Sequence, residues 1–229
     1  MIPVFIIWLI KRYREKNKRK ALTHFPKNSK RYLPPLVLLA IILLLLAIKG
    51  ISQNKSLTYQ IIRNGSKVGT LRFSQTSIGD TDRLEMQSNV NTRFIISFTA
   101  LSNEEAVYKN GVLLHSSIYR KLNGTEKANK QHFIGNNQYI IHAGERTEVI
   151  KNYPITYNML SLYSKEPENI GRVYSDNFQT FIAIQKTDQH RYKITLPDGN
   201  YNNYYYKNGV LNLVEVHHSF YSANIVLIN

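Results

Sequence analysis

Apolar residues fall into two regimes along the chain. From Leu36 to Ile48 thirteen of them run without interruption, whereas from about residue 56 onward apolar and polar positions alternate. Alternation of period two puts successive side chains on opposite faces of an extended strand. The segments "LTYQIIR", "SKVGTLRFSQ", "DRLEMQSNV", "TRFIISFTAL", "LLHSSIYRKL", "KQHFIG", "QYIIHA", "RTEVI", "FQTFIAIQK", "RYKITLP", "NYYYK", "VLNLVEVHH" and "SANIVLIN" all suit extended chain. They are rich in Ile, Val, Thr, Tyr and Phe, and polar or glycine-containing breaks separate them.

The breaks have a recurrent chemistry. Asn64-Gly65, Asn110-Gly111, Asn123-Gly124 and Asn208-Gly209 each sit between two strand-like runs, with Asp198-Gly199 as a variant. A two-residue hairpin turn of type I′ needs positive φ at both central positions, which Asn and Gly tolerate. The hexapeptide "YKNGVL" occurs twice, at Tyr108–Leu113 and Tyr206–Leu211. Around the first copy Lys109 faces Val112 and Tyr108 faces Leu113; around the second, Lys207 faces Val210 and Tyr206 faces Leu211. Extending the second pairing outward predicts Tyr204 opposite Leu213. Each Tyr–Leu pair contributes about 0.2–1 kcal/mol. The flanks "SNEEAV" and "NYNNYY" do not match, so the repeat reads as recurring turn chemistry and not as a duplicated domain.

One segment departs from alternation. "PITYNMLSLYSKEP" places Ile155, Met159, Leu162 and Tyr163 at helical spacing, with Thr156 as N-cap and Pro167 as stop. The spacing predicts a short helix over 157–163. The expected fold class is all-β: an antiparallel meander curled into a barrel or half-barrel, with one short helix closing an open end, preceded by an N-terminal membrane helix.

Charge changes the reading of the N-terminal part. The formal net charge is +15, but residues 1–48 carry ten Lys/Arg against the single acidic Glu15, while residues 53–229 carry nineteen Lys/Arg against fourteen Asp/Glu. A nucleic-acid binder carries its basic stripe on the folded module that docks; here the block from Lys11 to Arg31 precedes an apolar run, so no nucleic-acid partner is expected. Residues 33–51 as a helix span about 28 Å, close to the hydrocarbon core of a bilayer. Pro34 and Pro35 sit at its first turn, where a missing N–H costs little. The eleven Leu, Ile and Val side chains from Leu36 to Ile48 favour insertion by about 3–7 kcal/mol.

Three regions follow: a basic cytoplasmic segment, 1–32; a transmembrane anchor or signal h-region, 33–51; and an exported β domain, 53–229. The positive-inside rule keeps the N-terminus cytoplasmic and delivers 53–229 to the far side. Gly50-Ile51-Ser52 offers small residues for cleavage before Gln53, so retained anchor and cleaved signal stay as alternatives. The leading "IPVFIIWLI" is too short to span and suits the membrane interface, with Trp8 at headgroup level; an incidental start to the chain accounts for it equally well. The chain has no cysteine, which excludes disulfides, thiol nucleophiles and cysteine-ligated metal.

Four elements carry a resemblance. Tyr59, Ile61, Gly65, Val68 and Gly69 form "Y-x-I-x3-G-x2-V-G"; "LYSKEP" (162–167), "VYSDNF" (173–178) and "YYYKNGVL" (204–211) follow in order. In these the chain, from about Leu57 to its C-terminus, resembles an uncharacterised bacterial family of small, exported, signal-bearing all-β envelope proteins. Ser164 stands where that pattern has an aromatic residue, and the N-terminal block is additional. The resemblance implies a fold and a compartment but no activity and no site residues.

Motifs for chemistry are sparse. His24, His115, His132, His142, His190, His217 and His218 include no helical ligand pair, and His217 and His218 point to opposite faces of a strand. Neither G-x-S-x-G nor a phosphate-binding glycine loop is present. Glu104 and Glu105 face opposite sides of a strand. Glu166 and Glu168 flank Pro167 near Arg172, which reads as a surface ion pair worth about 0–1 kcal/mol. "NYNNYYYKN" reads as sheet packing, Tyr204 and Tyr206 inward and Tyr205 outward, although aromatics with amides also suit a flat ligand. No catalytic, cofactor-binding or metal-binding residue is assigned, and no cofactor. The expectation is a non-catalytic, membrane-anchored or exported envelope protein that binds an apolar or amphipathic ligand such as a lipid. The alternative is a hydrolase acting on envelope material, its site assembled only in three dimensions.

Overall fold

The computed structural model describes residues 11–12, 53–93, 97–135, 138–151 and 154–228. The expected membrane segment 33–51, the junction after Ser52, His24 and all of 1–32 except Lys11 and Arg12 lie outside them. No helix among the described residues is long and apolar enough to cross a membrane.

Among the described residues thirteen strands form one antiparallel sheet. Its first eight are β1 (Gln53–Arg63), β2 (Ser66–Ile78), β3 (Thr81–Arg93), β4 (Ser97–Lys109), β5 (Val112–Leu122), β6 (Thr125–Gly135), β7 (Gln138–Ala143) and β8 (Arg146–Lys151). After an inner segment, 154–184, come β11 (Gln185–Asp188), β12 (Arg191–Thr195), β13 (Tyr201–Lys207), β14 (Val210–His218) and β15 (Tyr221–Leu227). Spatial order is β11-β12-β13-β14-β15-β1-β2-β3-β4-β5-β6-β7-β8, so the last strand pairs with the first through Tyr59 opposite Leu227. The meander and the all-β class agree with the sequence reading. Among the described residues a closed barrel does not form: β8 and β11 are the edges of the sheet. Both edges carry charge, Arg146 and Glu148 on one and Lys186 and Asp188 on the other, which discourages pairing with another chain.

All four Asn-Gly dipeptides are two-residue turns with positive φ at both positions, for example Asn110 at 50° and Gly111 at 74°. Each is followed by a bulge that alternation does not reveal. Three residues past each glycine, at Val68, Leu114, Lys127 and Asn212, one residue has no partner in the facing strand. The pairs nearest the turn match expectation: Tyr108 opposite Leu113, and Tyr206 opposite Leu211. Beyond the bulge the register shifts, so Tyr204 meets Val214 and Leu213 meets Tyr205. A bulge adds one residue and local twist. Here it returns Val214 to the buried face beside Tyr204.

The inner segment fills much of the space under the curled sheet. It contains the short helix α1 (Ser161–Ser164) and a two-stranded ribbon of β9 (Arg172–Ser175) and β10 (Thr180–Ala183). The helix is shorter than the predicted 157–163: Asn158 bridges to Tyr174 as extended chain, and Asn158 Oδ1, not Thr156, accepts from the Ser161 N–H at 3.2 Å. Tertiary pairing with β9 outcompetes the first helical turn.

Ile155, Leu160, Leu162, Val173, Tyr174 and Ile182 of this segment share one core with Tyr59, Phe73, Leu113, Ile194 and Leu211 of the sheet. Tyrosine hydroxyls tie the layers together. Tyr206 donates to Leu162 O at 2.9 Å, Tyr108 Oη and Ser161 Oγ lie 2.9 Å apart, and Tyr139 Oη, 2.8 Å from Leu113 O, accepts from Ile155 N–H. Tyrosine supplies both a large apolar ring and the polar tip that an irregular buried backbone requires. The abundance of tyrosine follows from this: Tyr204 and Tyr206 are buried as expected, while Tyr205 is half-buried and donates to Glu215 at 2.7 Å.

Candidate functional site

A cavity of about 380 Å³ remains between the inner segment and the sheet. On one side stand Glu104 of β4 and Ile118 and Arg120 of β5; on the other stand Asn202 of β13 and Val216, His217 and His218 of β14. Four strands separate these walls in the sheet order, so the sheet curls far enough for them to face each other. Met159 and the stretch Ser175–Phe178 form the inner boundary, and Leu196, Asp198, Asn200 and Tyr221 lie on the β12–β13 turn and β15 side.

The lining is mixed. Ile118, Met159, Phe178, Leu196 and Val216 give an apolar surface. Against it sits a tight ion pair, Arg120 Nη2 to Glu104 Oε1 at 2.6 Å, with Ser102 Oγ donating to the same oxygen at 3.0 Å. Both hydrogen bonds of the Glu104 carboxylate thus fall on Oε1. His217 stacks on Tyr201 at 4.4 Å and His218 on Tyr221 at 4.8 Å. Sequence alternation put these histidines on opposite faces; at the end of β14 both line this cavity. Beside them Phe220 is 85% exposed in the β14–β15 turn.

Beneath the cavity three chain segments converge on Asp176, which is 4% exposed. Ser116 Oγ of β5 donates to Asp176 Oδ1 at 2.5 Å, and Asn158 Nδ2 donates to Oδ2 at 2.9 Å. His132 of β6 is fully buried with its Nδ1 3.7 Å from Oδ1, too far for a hydrogen bond, and neither ring nitrogen has a partner among the described residues. Burial, with Lys130 and His115 nearby, lowers the His132 pKa to about 4, so the ring is neutral at pH 7. Burial raises the Asp176 pKa to about 6, partly offset by the Ser116 and Asn158 hydrogen bonds. The contact between them is therefore not an ion pair at neutral pH. The serine hydroxyl points at a carboxylate rather than at an imidazole, which is not the arrangement that activates a nucleophile.

The carboxylates singled out in the sequence separate in space. Glu105 faces away from Glu104 and pairs with Arg83 at 2.9 Å. Glu166 is buried and does not take Arg172 as its partner: Tyr192 donates to Oε1 at 2.8 Å and His190 Nδ1 lies 2.9 Å from the same oxygen. Arg172 instead lies over the Phe181 ring at 4.5 Å. The surface ion pair expected there is thus replaced by a buried carboxylate, because Tyr192 and His190 approach from strand and turn residues distant in sequence. Glu166, Glu168 and His190 bring ligand-type atoms within 4.8 Å of one another, a grouping that sequence spacing does not reveal.

Sequence reasoning missed Asp176, Ser116, Arg120, Asn158 and His132 as a group. The only signal available was "VYSDNF", which places an Asp inside a motif of otherwise strand-like residues.

The chain belongs to the family described as Domain of unknown function (DUF6134), which matches residues 59–228. The match begins at Tyr59, the first residue of the quoted motif, and agrees with an uncharacterised all-β family. Among solved structures the chain is similar to the crystal structure of a beta-barrel-like protein of domain of unknown function DUF1849 from Brucella abortus. The two are 8% identical with a TM-score of 0.53, over 77% of this chain and 95% of that one. At that identity the likeness shows the fold alone. Comparison with curated proteins gives no match.

Proposed function

We propose that residues 53–229 form a non-catalytic envelope module that holds a small amphipathic molecule in the cavity between the curled sheet and its inner segment. The carrying observation is the cavity itself: about 380 Å³, bounded by Met159 and by walls from opposite arms of the sheet. Ligand pockets begin at about 300 Å³, so the volume suits a small ligand. A wholly apolar occupant is disfavoured, since it would strip water from Glu104, Arg120 and Asp176 without replacing its hydrogen bonds. Ser116 is 1% exposed and is not part of the cavity lining, which supports binding over hydrolysis.

Native mass spectrometry of the full-length chain, purified from the cells that make it, is expected to show a co-purifying small molecule. Met159→Asp adds a charge to the apolar wall and should abolish retention while the far-UV circular dichroism stays that of wild type. Repeated wild-type preparations without any adduct would sink the binding reading.

The compartment is part of the same proposal. The Lys11–Arg31 block and the apolar run after it support a cytoplasmic N-terminus, with 33–51 as a retained anchor or a cleaved signal and 53–229 extracytoplasmic. A reporter enzyme active only outside the cytoplasm, fused after Lys55, should be active. Activity only from a cytoplasm-dependent reporter at that junction overturns the topology.

A further inference from the structure

The cavity proposed above as a binding site has a charge that its surroundings do not balance. Its lining carries Glu104, Asp176 and Asp198 against one guanidinium, Arg120. That guanidinium is already committed to Glu104 at 2.6 Å. Asp198 is exposed on a turn, where it accepts from the Asn200 N–H at 3.1 Å, so water screens it. Asp176 is different. It is buried, and its hydrogen-bond donors, Ser116 and Asn158, are neutral. Its nearest titratable neighbour, His132, is uncharged at neutral pH. Lys130 directs its ammonium to the Asn177 backbone carbonyl at 2.5 Å.

A buried carboxylate held only by neutral donors is costly, and a cation brought into contact with it relieves that cost. Arg120 lies near enough for its charge to act on Asp176, but its guanidinium hydrogen-bonds Glu104 and leaves Asp176 to Ser116 and Asn158. Apolar side chains line the same cavity: Ile118 and Val216 on facing walls and Met159 at the inner boundary. Roughly a dozen waters would fill this volume at about 30 Å³ each.

We infer that the cavity selects a small amphipathic cation, a primary ammonium group on a short apolar body, with the ammonium at Asp176 and the apolar body against Met159 and Val216. The inference rests on the binding reading and adds the chemical class of the ligand. The selection is electrostatic. An ammonium gains charge-assisted hydrogen bonds to Asp176 and to the second oxygen of Glu104, an alcohol gains only neutral-donor ones, and a carboxylate meets a like charge.

Hexylamine, hexanol and hexanoate share one apolar body and differ in the head group. Each is titrated calorimetrically at pH 7.5 into the full-length chain held in lipid nanodiscs, with empty nanodiscs subtracted. Hexylamine is expected to bind about tenfold or more tightly than hexanol, and hexanoate most weakly. In Asp176→Asn, with the fold checked by circular dichroism, the amine and alcohol should converge while the alcohol keeps its wild-type affinity. Asp198→Asn should leave the ranking unchanged. If Asp176→Asn does not fold, the wild-type ranking decides by itself. Hexanoate binding as tightly as hexylamine, or an amine preference that survives in folded Asp176→Asn, overturns the inference and leaves the cavity reading standing. If none of the three binds, the cavity reading falls and takes the inference with it.

Discussion

Replacing Gly69 by alanine is expected to destabilise the folded domain by about 3 kcal/mol or more. Gly69 lies in β2, one residue past the bulge at Val68, where it is paired with Ile61 on one side and Val90 on the other. A Cβ built there collides with the backbone carbonyl oxygen of Asn89 and lies 2.9 Å from the Val90 Cα. These are backbone atoms of β3 and cannot rotate away as a side chain would. The two strands must separate, at the cost of ladder hydrogen bonds near the middle of the sheet. Gly209→Val is a contrasting case. No atom lies within 4 Å of a Cβ at Gly209, but its φ is +74°, so the penalty is local strain of about 1–3 kcal/mol. Urea denaturation of both variants tests the pair. A Gly69→Ala midpoint equal to wild type, or a smaller loss than in Gly209→Val, would show that β2 and β3 are not as closely apposed as described.

Acid should reveal two opposing terms in the Asp176 cluster. The Asp176 carboxyl has its pKa raised from 3.8 to about 6, so between those values the folded state holds a proton that the unfolded chain releases. Its contribution to stability therefore grows as pH falls through 6. His132 is lowered from 6.5 to about 4, so there the unfolded chain takes a proton that the folded state refuses. Its contribution is lost as pH falls through 6.5. Each shift is worth about 3 kcal/mol over its full window, and the two nearly cancel between pH 6 and 4.

Substitution separates them. Relative to wild type, His132→Phe should gain about 2–3 kcal/mol on going from pH 7 to pH 4.5, and Asp176→Asn should lose about 2 kcal/mol over the same interval. The charged groups around the pair, Glu104, Arg120, Lys130 and His115, are common to all three proteins and drop out of the comparison. Urea titrations at the two pH values supply the measurement. Profiles of both variants running parallel to wild type would mean that neither group is titrating as its burial requires.

The hairpins were legible because their cause is local. An Asn-Gly pair tolerates positive φ whatever surrounds it, so all four turns and the first cross-strand pairs, Tyr108–Leu113 and Tyr206–Leu211, follow from six or so residues each. The all-β class was legible for the same reason, since alternation reports which side chains share a face. Register beyond the turns was not. A bulge three residues past each glycine moves Tyr204 from Leu213 to Val214; it recurs at the same offset after all four turns, so it goes with the turn, but period-two alternation carries no sign of it. The helix was half legible: Leu162 and Tyr163 are helical, but Asn158 is drawn into pairing with Tyr174.

What the amino-acid order determined by itself is the set of local conformations and the in-or-out pattern of the strands near each turn. Tertiary structure alone decided that the curled sheet would stay open, that residues 154–184 would fill its interior and leave a cavity beside Met159, and that Ser116, His132, Asn158 and Asp176 would meet. Turn geometry is a property of two or three residues and their own backbone. The desolvation that shifts Asp176 and His132 is a property of the space around them, and strands distant in sequence build that space.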